Sequence, residues 1–216
     1  MSEPGAEASV RGERAQRGGT LRELPGLIIV AFLLALLIKS FLVQAFFIPS
    51  SSMESTLQIG DRVLVNKVVY HFREPRRGDV IVFERLNALP EEGNVFRRFF
   101  DWVTEGLGFR SDPNKDFIKR VIGLPGDVVD ARDGRVRVDG RPIREPYLDP
   151  GRMTDDFRGV KVKPGRYFVM GDNRGNSEDS RFIGAISGDQ IVGRAFVILW
   201  PPPDATWLWD RPELAT

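Results

Sequence analysis

Three adjacent serines, Ser50, Ser51 and Ser52, stand between Pro49 and Met53. A hydroxyl is a weak nucleophile until a neighbouring base takes its proton. These serines therefore gain chemical meaning only if the chain supplies that base. Cysteine is absent, which excludes thiol nucleophiles and thiolate zinc sites. The single histidine, His71, excludes a zinc site built on two or three imidazoles. It lies in Val68-Val69-Tyr70-His71-Phe72, among apolar neighbours, and reads as a strand-end residue rather than a base. Lys119 is the alternative. It sits in Phe117-Ile118-Lys119-Arg120-Val121. Alternate residues of a strand share a face, so Lys119 shares one with Phe117 and Val121. Free lysine has a pKa near 10.4 and is a poor base at neutral pH. Desolvation disfavours the ammonium and can lower that value by roughly 3 or more. A buried, neutral amine could then accept a serine proton. The plainer reading is a lysine whose stem packs and whose amine reaches solvent.

A third segment runs Gly171-Asp172-Asn173-Arg174-Gly175-Asn176-Ser177-Glu178-Asp179-Ser180-Arg181. It is rich in loop and calcium-ligand residue types but lacks the spacing and closing glutamate of an EF-hand loop. Each segment alone has an ordinary explanation. Serine after proline marks a turn or helix cap, and Pro125-Gly126-Asp127 after a strand marks a corner.

The elements that must position these groups read as mostly strands. Arg62–Val68, Asp79–Phe83 and Phe117–Leu124 are short β-branched runs bounded by Gly60-Asp61, Gly78-Asp79 and Pro125-Gly126-Asp127. Val128–Arg132 and Val136–Val138 flank Asp133-Gly134, a hairpin signal. Val160–Val162 and Tyr167–Met170 flank Pro164-Gly165, and Ile191–Trp200 is a last strand before three prolines. The pattern predicts a mainly β protein, a barrel or sandwich. One stretch differs. Asn94–Leu107 carries Phe and Trp at helical spacing, which predicts a short amphipathic helix inside an insertion at 86–116. That helix either packs on the β domain or dips into a bilayer. Trp207 and Trp209 in the tail suggest packing.

Upstream of the serines, Gly26–Ile38 is apolar or glycine throughout, and after Lys39 and Ser40 the run resumes to Ile48. That length suits a transmembrane helix over 25–47. Arg11, Arg14, Arg17 and Arg22 precede it, so residues 1–24 are expected in the cytoplasm and 48–216 outside. A buried core helix and a cleavable signal peptide, with Val43-Gln44-Ala45 as its end, are the competing readings. The net charge of +1 gives no broad attraction to nucleic acid.

The ordered set of anchor, serine segment, Gly60-Asp61 with its strand, Lys119 segment and Gly171–Arg181 loop resembles the bacterial type I signal peptidases, Ser-Lys endopeptidases of the membrane. The resemblance covers well under half the chain. It implies Ser52, the serine immediately before methionine, as nucleophile and Lys119 as base. It implies Ser50 as an oxyanion donor together with the Ser52 backbone N–H. Ser177 would orient the lysine amine, and Asp179 and Arg181 would form a supporting pair. Ile48, Pro49, Met53, Leu57, Phe117 and Ile118 would lie near shallow substrate pockets for small side chains. The implied substrates are preproteins bearing signal peptides, cleaved at Ala-X-Ala-like ends, and the implied location is the bacterial cytoplasmic membrane, crossed once. The segment at about 128–163 would be a small variable β subdomain. No cofactor, metal or nucleic acid is implied, and a monomer is expected. Two positions depart from the family pattern. Ser51 stands where glycine is usual, and Ser55, expected to loosen its loop slightly, stands where proline is usual. A non-catalytic anchored β domain and a self-cleaving Ser-Lys repressor remain as other classes. The repressor would need a DNA-binding domain where this chain has an apolar run. Self-cleavage after Ala45 also stays open.

Overall fold

The computed structural model describes residues 24–34, 42–84, 116–151 and 153–208. The chain divides into two units, Met1–Lys39 and Ser40–Thr216. In the first, residues 24–34 are helical and exposed, with Leu27, Ile28, Val30 and Phe32 each more than half accessible. Among the described residues no helix is long and apolar enough to cross a membrane. The insertion expected at 86–116 lies almost wholly outside the described residues, as does Trp209.

The second unit is mainly β, as expected. Its strands are β1 (Val43–Phe47), β2 (Arg62–Asn66), β3 (Val80–Glu84), β4 (Asp116–Gly123), β5 (Val128–Arg132) and β6 (Arg135–Val138). They continue with β7 (Arg141–Pro142), β8 (Phe157–Lys161), β9 (Arg166–Met170), β10 (Ile186–Ser187), β11 (Ile191–Trp200) and β12 (Thr206–Trp207). One sheet runs β1-β2-β11-β3-β4-β9-β10, with β12 on β11, and a second runs β7-β6-β5-β8. The β5–β6 hairpin turns at Asp133 and Gly134, both at positive φ (52° and 75°), as the tight primed turn requires.

Two sequence expectations change here. Val43–Phe47, expected to end the apolar helix, is strand and pairs with β2 from Val43↔Asn66 to Phe47↔Arg62. Val43, Phe46 and Phe47 suit a pleated, half-buried surface, and β2 supplies the backbone partners. His71 belongs to a helical turn, Val69–Phe72, that follows β2 and is exposed. Asn66 starts that turn by accepting the backbone N–H groups of Val68 and Val69 through its side chain, which ends the strand early.

β4 lies between β3 and β9. Its residues feed different cores. Ile118 joins Ile48, Met53, Leu57, Val63 and Val65. Ile122 joins Val129, Phe168 and Met170 against the second sheet. Val121 packs with Ile81, Phe83 and Val169, with Phe117 beside them. Burying each such side chain contributes roughly 1.5–3 kcal/mol, so β4 is a rigid platform for whatever it carries.

Candidate functional site

Ser52 is fixed from both sides along the chain. After β1, the backbone N–H of Ile48 donates to Asp61 and its carbonyl accepts from Gly60, each at 2.9 Å. Ser50 is extended, and Ser51–Met53 form one 3-10 turn. Met53 and Leu57 are fully buried and pin that turn to the core. The Leu57 N–H donates to the Met53 carbonyl at 2.8 Å. The side chain of Ser52 is thereby held in a buried position.

β4 brings Lys119 to it. Lys119 pairs in register with Ile81 and is 2% exposed. Its Nζ lies 2.7 Å from Ser52 Oγ and donates to the Ile118 carbonyl at 2.9 Å. The Phe117 ring centre is 5.6 Å away, on the shared apolar face. Burial lowers the lysine pKa to about 8, against the pull of Asp179, Asp172 and Glu178. A lysine in this state releases its proton within reach of neutral pH.

The three serine hydroxyls, alike in sequence, are separated by their partners. Ser51 Oγ accepts a hydrogen bond from Asn176 Nδ2 at 2.8 Å. Ser50 Oγ sits 3.4 Å from Ser52 Oγ, beside the Ser52–Lys119 contact but outside it. Ser55 has φ of 88°. Proline is locked near −65°, so a proline at position 55 could not adopt this backbone. Its hydroxyl donates to Asp149 at 2.8 Å. The expected loosening is not what the structure has: the side chain ties the turn down.

The Gly171–Arg181 loop closes over Ser52. The Asn173 N–H donates to the Ser52 carbonyl at 3.1 Å. Any side chain at Gly171 would begin 2.2 Å from Ser177 Oγ and 2.4 Å from the Ser52 carbonyl oxygen. Only glycine lets the loop come this near. Asp179 is fully buried, caps the Ser180–Ile183 turn, accepts from the Gly171 N–H at 2.9 Å and pairs with Arg181 at 2.8 Å. Ser177 is beside Gly171, but its Oγ makes no hydrogen bond, and the lysine amine is held by Ile118 instead.

A groove of about 190 Å³ runs along Phe46–Ser50 and Asp116–Lys119, with Val82 at its floor. β9 pairs with the rear half of β4, at Arg120, Val121 and Gly123, whereas the front half lines the groove. Ile48, Pro49, Phe117 and Ile118 line this groove. Met53 and Leu57 do not line it; both are core. Phe46, Phe47, Val82 and Asp116 also line it, beyond the residues the sequence singles out. Knowing that β3 pairs Val82 with Ile118 would have found one of them. Arg120 and Asp172 were also unassigned. They form a buried ion pair behind Lys119, with two hydrogen bonds of 2.9 and 2.6 Å. Among the described residues no group of three or more His, Asp or Glu side chains is arranged to hold a metal. A hydroxyl beside a buried amine whose residue lines an apolar groove can perform acyl transfer on an extended peptide.

The sequence matches the family described as "Signal peptidase, peptidase S26" over residues 21–200. It is 39% identical over 194 residues to "Probable signal peptidase I-2" of Synechocystis sp., covering 90% of this chain and 80% of that protein. It is 40% identical over 174 residues to "Signal peptidase I" of Leptolyngbya laminosa, covering 80% and 76%. "Signal peptidase I" of Mycobacterium tuberculosis is 36% identical over 222 residues, covering 88% and 76%.

Proposed function

The chain belongs to the signal peptidase family, peptidase S26, and from that premise we propose that it is a membrane-anchored Ser-Lys endopeptidase that removes signal peptides from exported preproteins. The observation that carries this reading is the 2.7 Å contact between Lys119 Nζ and Ser52 Oγ in a buried setting.

Neutral Lys119 takes the proton of Ser52 as Oγ attacks the carbonyl of a small residue at the end of the signal peptide. The oxyanion is met by the Ser52 N–H and the Ser50 hydroxyl, a donor pair worth roughly 3 kcal/mol each when preorganised. Lys119, now charged, returns the proton to the leaving amine. An acyl-enzyme remains, and water activated by Lys119 releases it. The signal peptide enters as an extended strand. The groove supports this: it is mostly apolar and bounded by the end of β1 and the front half of β4. Asp179 and Arg181 keep the loop against Ser52, and Ser177, whose buried Oγ has no other hydrogen-bond partner among the described residues, orients the lysine amine.

Residues 1–24 are the cytoplasmic tail, the apolar run before β1 is a single-pass anchor in the bacterial cytoplasmic membrane, and the β unit lies on the outer side. The arginine-rich flank and the run's apolarity support that orientation. Full-length protein in detergent, given a preprotein, is expected to release the signal peptide. Ser52→Ala and Lys119→Ala are expected to leave the preprotein intact. Cleavage by both variants at the wild-type rate would exclude this mechanism.

A further inference from the structure

The connector between β7 and β8 leaves the second sheet and reaches the neighbourhood of Ser52 along two routes. Its base is firm, since Ile143 and Tyr147 are buried in the core under that sheet. From there Glu145 pairs with both terminal nitrogens of Arg174, and Thr154 Oγ1 accepts from Arg174 Nη1 at 2.8 Å. Arg174 is 2% exposed, and its Nε donates to the Gly171 carbonyl at 3.1 Å. Gly171 is the residue whose backbone abuts the Ser52 carbonyl. Farther along the connector, Asp149 accepts the Ser55 hydroxyl at 2.8 Å, in the turn that follows Ser52. One connector thus holds both stretches that flank Ser52, one through a buried ion pair and one through an exposed hydrogen bond.

We infer that this connector is a positioning element for peptide cleavage. Glu145, acting through Arg174 and Gly171, and Asp149, acting through Ser55, hold Ser52 Oγ in line with Lys119. The inference rests on the Ser52–Lys119 reading above. Without the Glu145 carboxylate, the Arg174 guanidinium is buried without its charge partner, and the loop must shift to solvate it. A shift of about 1 Å at reacting atoms costs roughly 100-fold in rate. The groove is built from other elements and keeps its affinity.

The test measures kcat and KM of full-length enzyme in detergent on a preprotein, with thermal unfolding alongside. Glu145→Gln is expected to lower kcat roughly 10- to 100-fold with KM little changed, and Glu145→Asp to recover most of the loss. Ser55→Ala and Asp149→Asn are each expected to lower kcat about threefold, the worth of one exposed hydrogen bond, and the double variant to lose no more than either. If Glu145→Gln does not fold, the Ser55/Asp149 cycle decides. A folded Glu145→Gln with wild-type kcat, losses that follow folded fraction alone without rescue by aspartate, or additive losses in the cycle would overturn the inference. Wild type that fails to cleave, or a Ser52→Ala variant that cleaves, would instead overturn the Ser-Lys reading itself.

Discussion

β4 buries two cations side by side and treats them oppositely. Lys119 and Arg120 are each 2% exposed, yet they face opposite sides of the strand. Burial works against the charge of Arg120, but Asp172 outweighs it and the net pKa is raised. The Tyr147 ring, 3.8 Å from the guanidinium, covers its other face. Lys119 has a hydroxyl and a carbonyl as its described hydrogen-bond partners, both neutral, and burial prevails. The difference teaches that desolvation alone does not fix a protonation state. A carboxylate in direct contact keeps one cation charged for structure. Its absence from contact leaves the other free to lose a proton.

The hardest test of that contrast is Lys119→Arg. Guanidinium stays protonated, so the variant keeps a buried cation and loses the base. Its kcat is expected to fall by roughly 10⁴-fold or more; activity within tenfold of wild type would erase the distinction between the two faces. On the other face, Asp172→Ala leaves Arg120 charged, buried and unpaired. Urea unfolding is expected to show a loss of about 3–5 kcal/mol, whereas Lys119→Met at pH 7 should cost no stability.

Titration separates the two faces further. Lys119 must be neutral to act, so kcat/KM is expected to rise about tenfold per pH unit below the pKa of about 8 and to level above it. A flat profile between pH 6 and 9 would remove lysine as the base. The same lysine links pH to stability. Its folded pKa of about 8 lies below its ordinary 10.5, so between those values the unfolded chain holds a proton that the folded chain has released. Its contribution to stability grows as pH rises through that window and is lost on descending to about 8. The change is on the order of 3 kcal/mol, and Lys119→Met should abolish it. The smallest effect is expected at Ser51→Ala. Asn176 already occupies that hydroxyl, so kcat should change less than about twofold; a large loss would mean that Ser51 shares the work of Ser52.

Local chemistry was legible in the sequence where it decides structure locally. The β5–β6 hairpin follows from alternation and Asp133-Gly134, and β11 is bounded as Ile191–Trp200 because its apolar run ends at prolines. The apolar strand neighbours of Lys119 allowed either a buried amine or one reaching solvent, and the folded packing buries it. Other features depend on distant partners. Val43–Phe47 belongs to the mostly apolar run that resumes after Ser40, and only β2 makes it strand. Met53 and Leu57 are apolar in either a pocket or a core, and composition does not tell them apart. The partner of Ser51 lies 125 residues away, and the left-handed backbone at Ser55 is set by the turn around it.

The sheet order has a consequence for when the enzyme can exist at all. β11 lies between β2 and β3, although it is the penultimate strand of the described residues to be synthesised. Until residues 191–200 emerge, the half of the sheet leading from Ser52 and the half carrying Lys119 have no strand to join them. An unburied Lys119 would hold its proton, as free lysine does. Under the proposed mechanism a nascent or partly folded chain is therefore inert, and the completion of folding is itself the activation step. Under that reading the chain acquires its base only once residues 191–200 have joined the sheet.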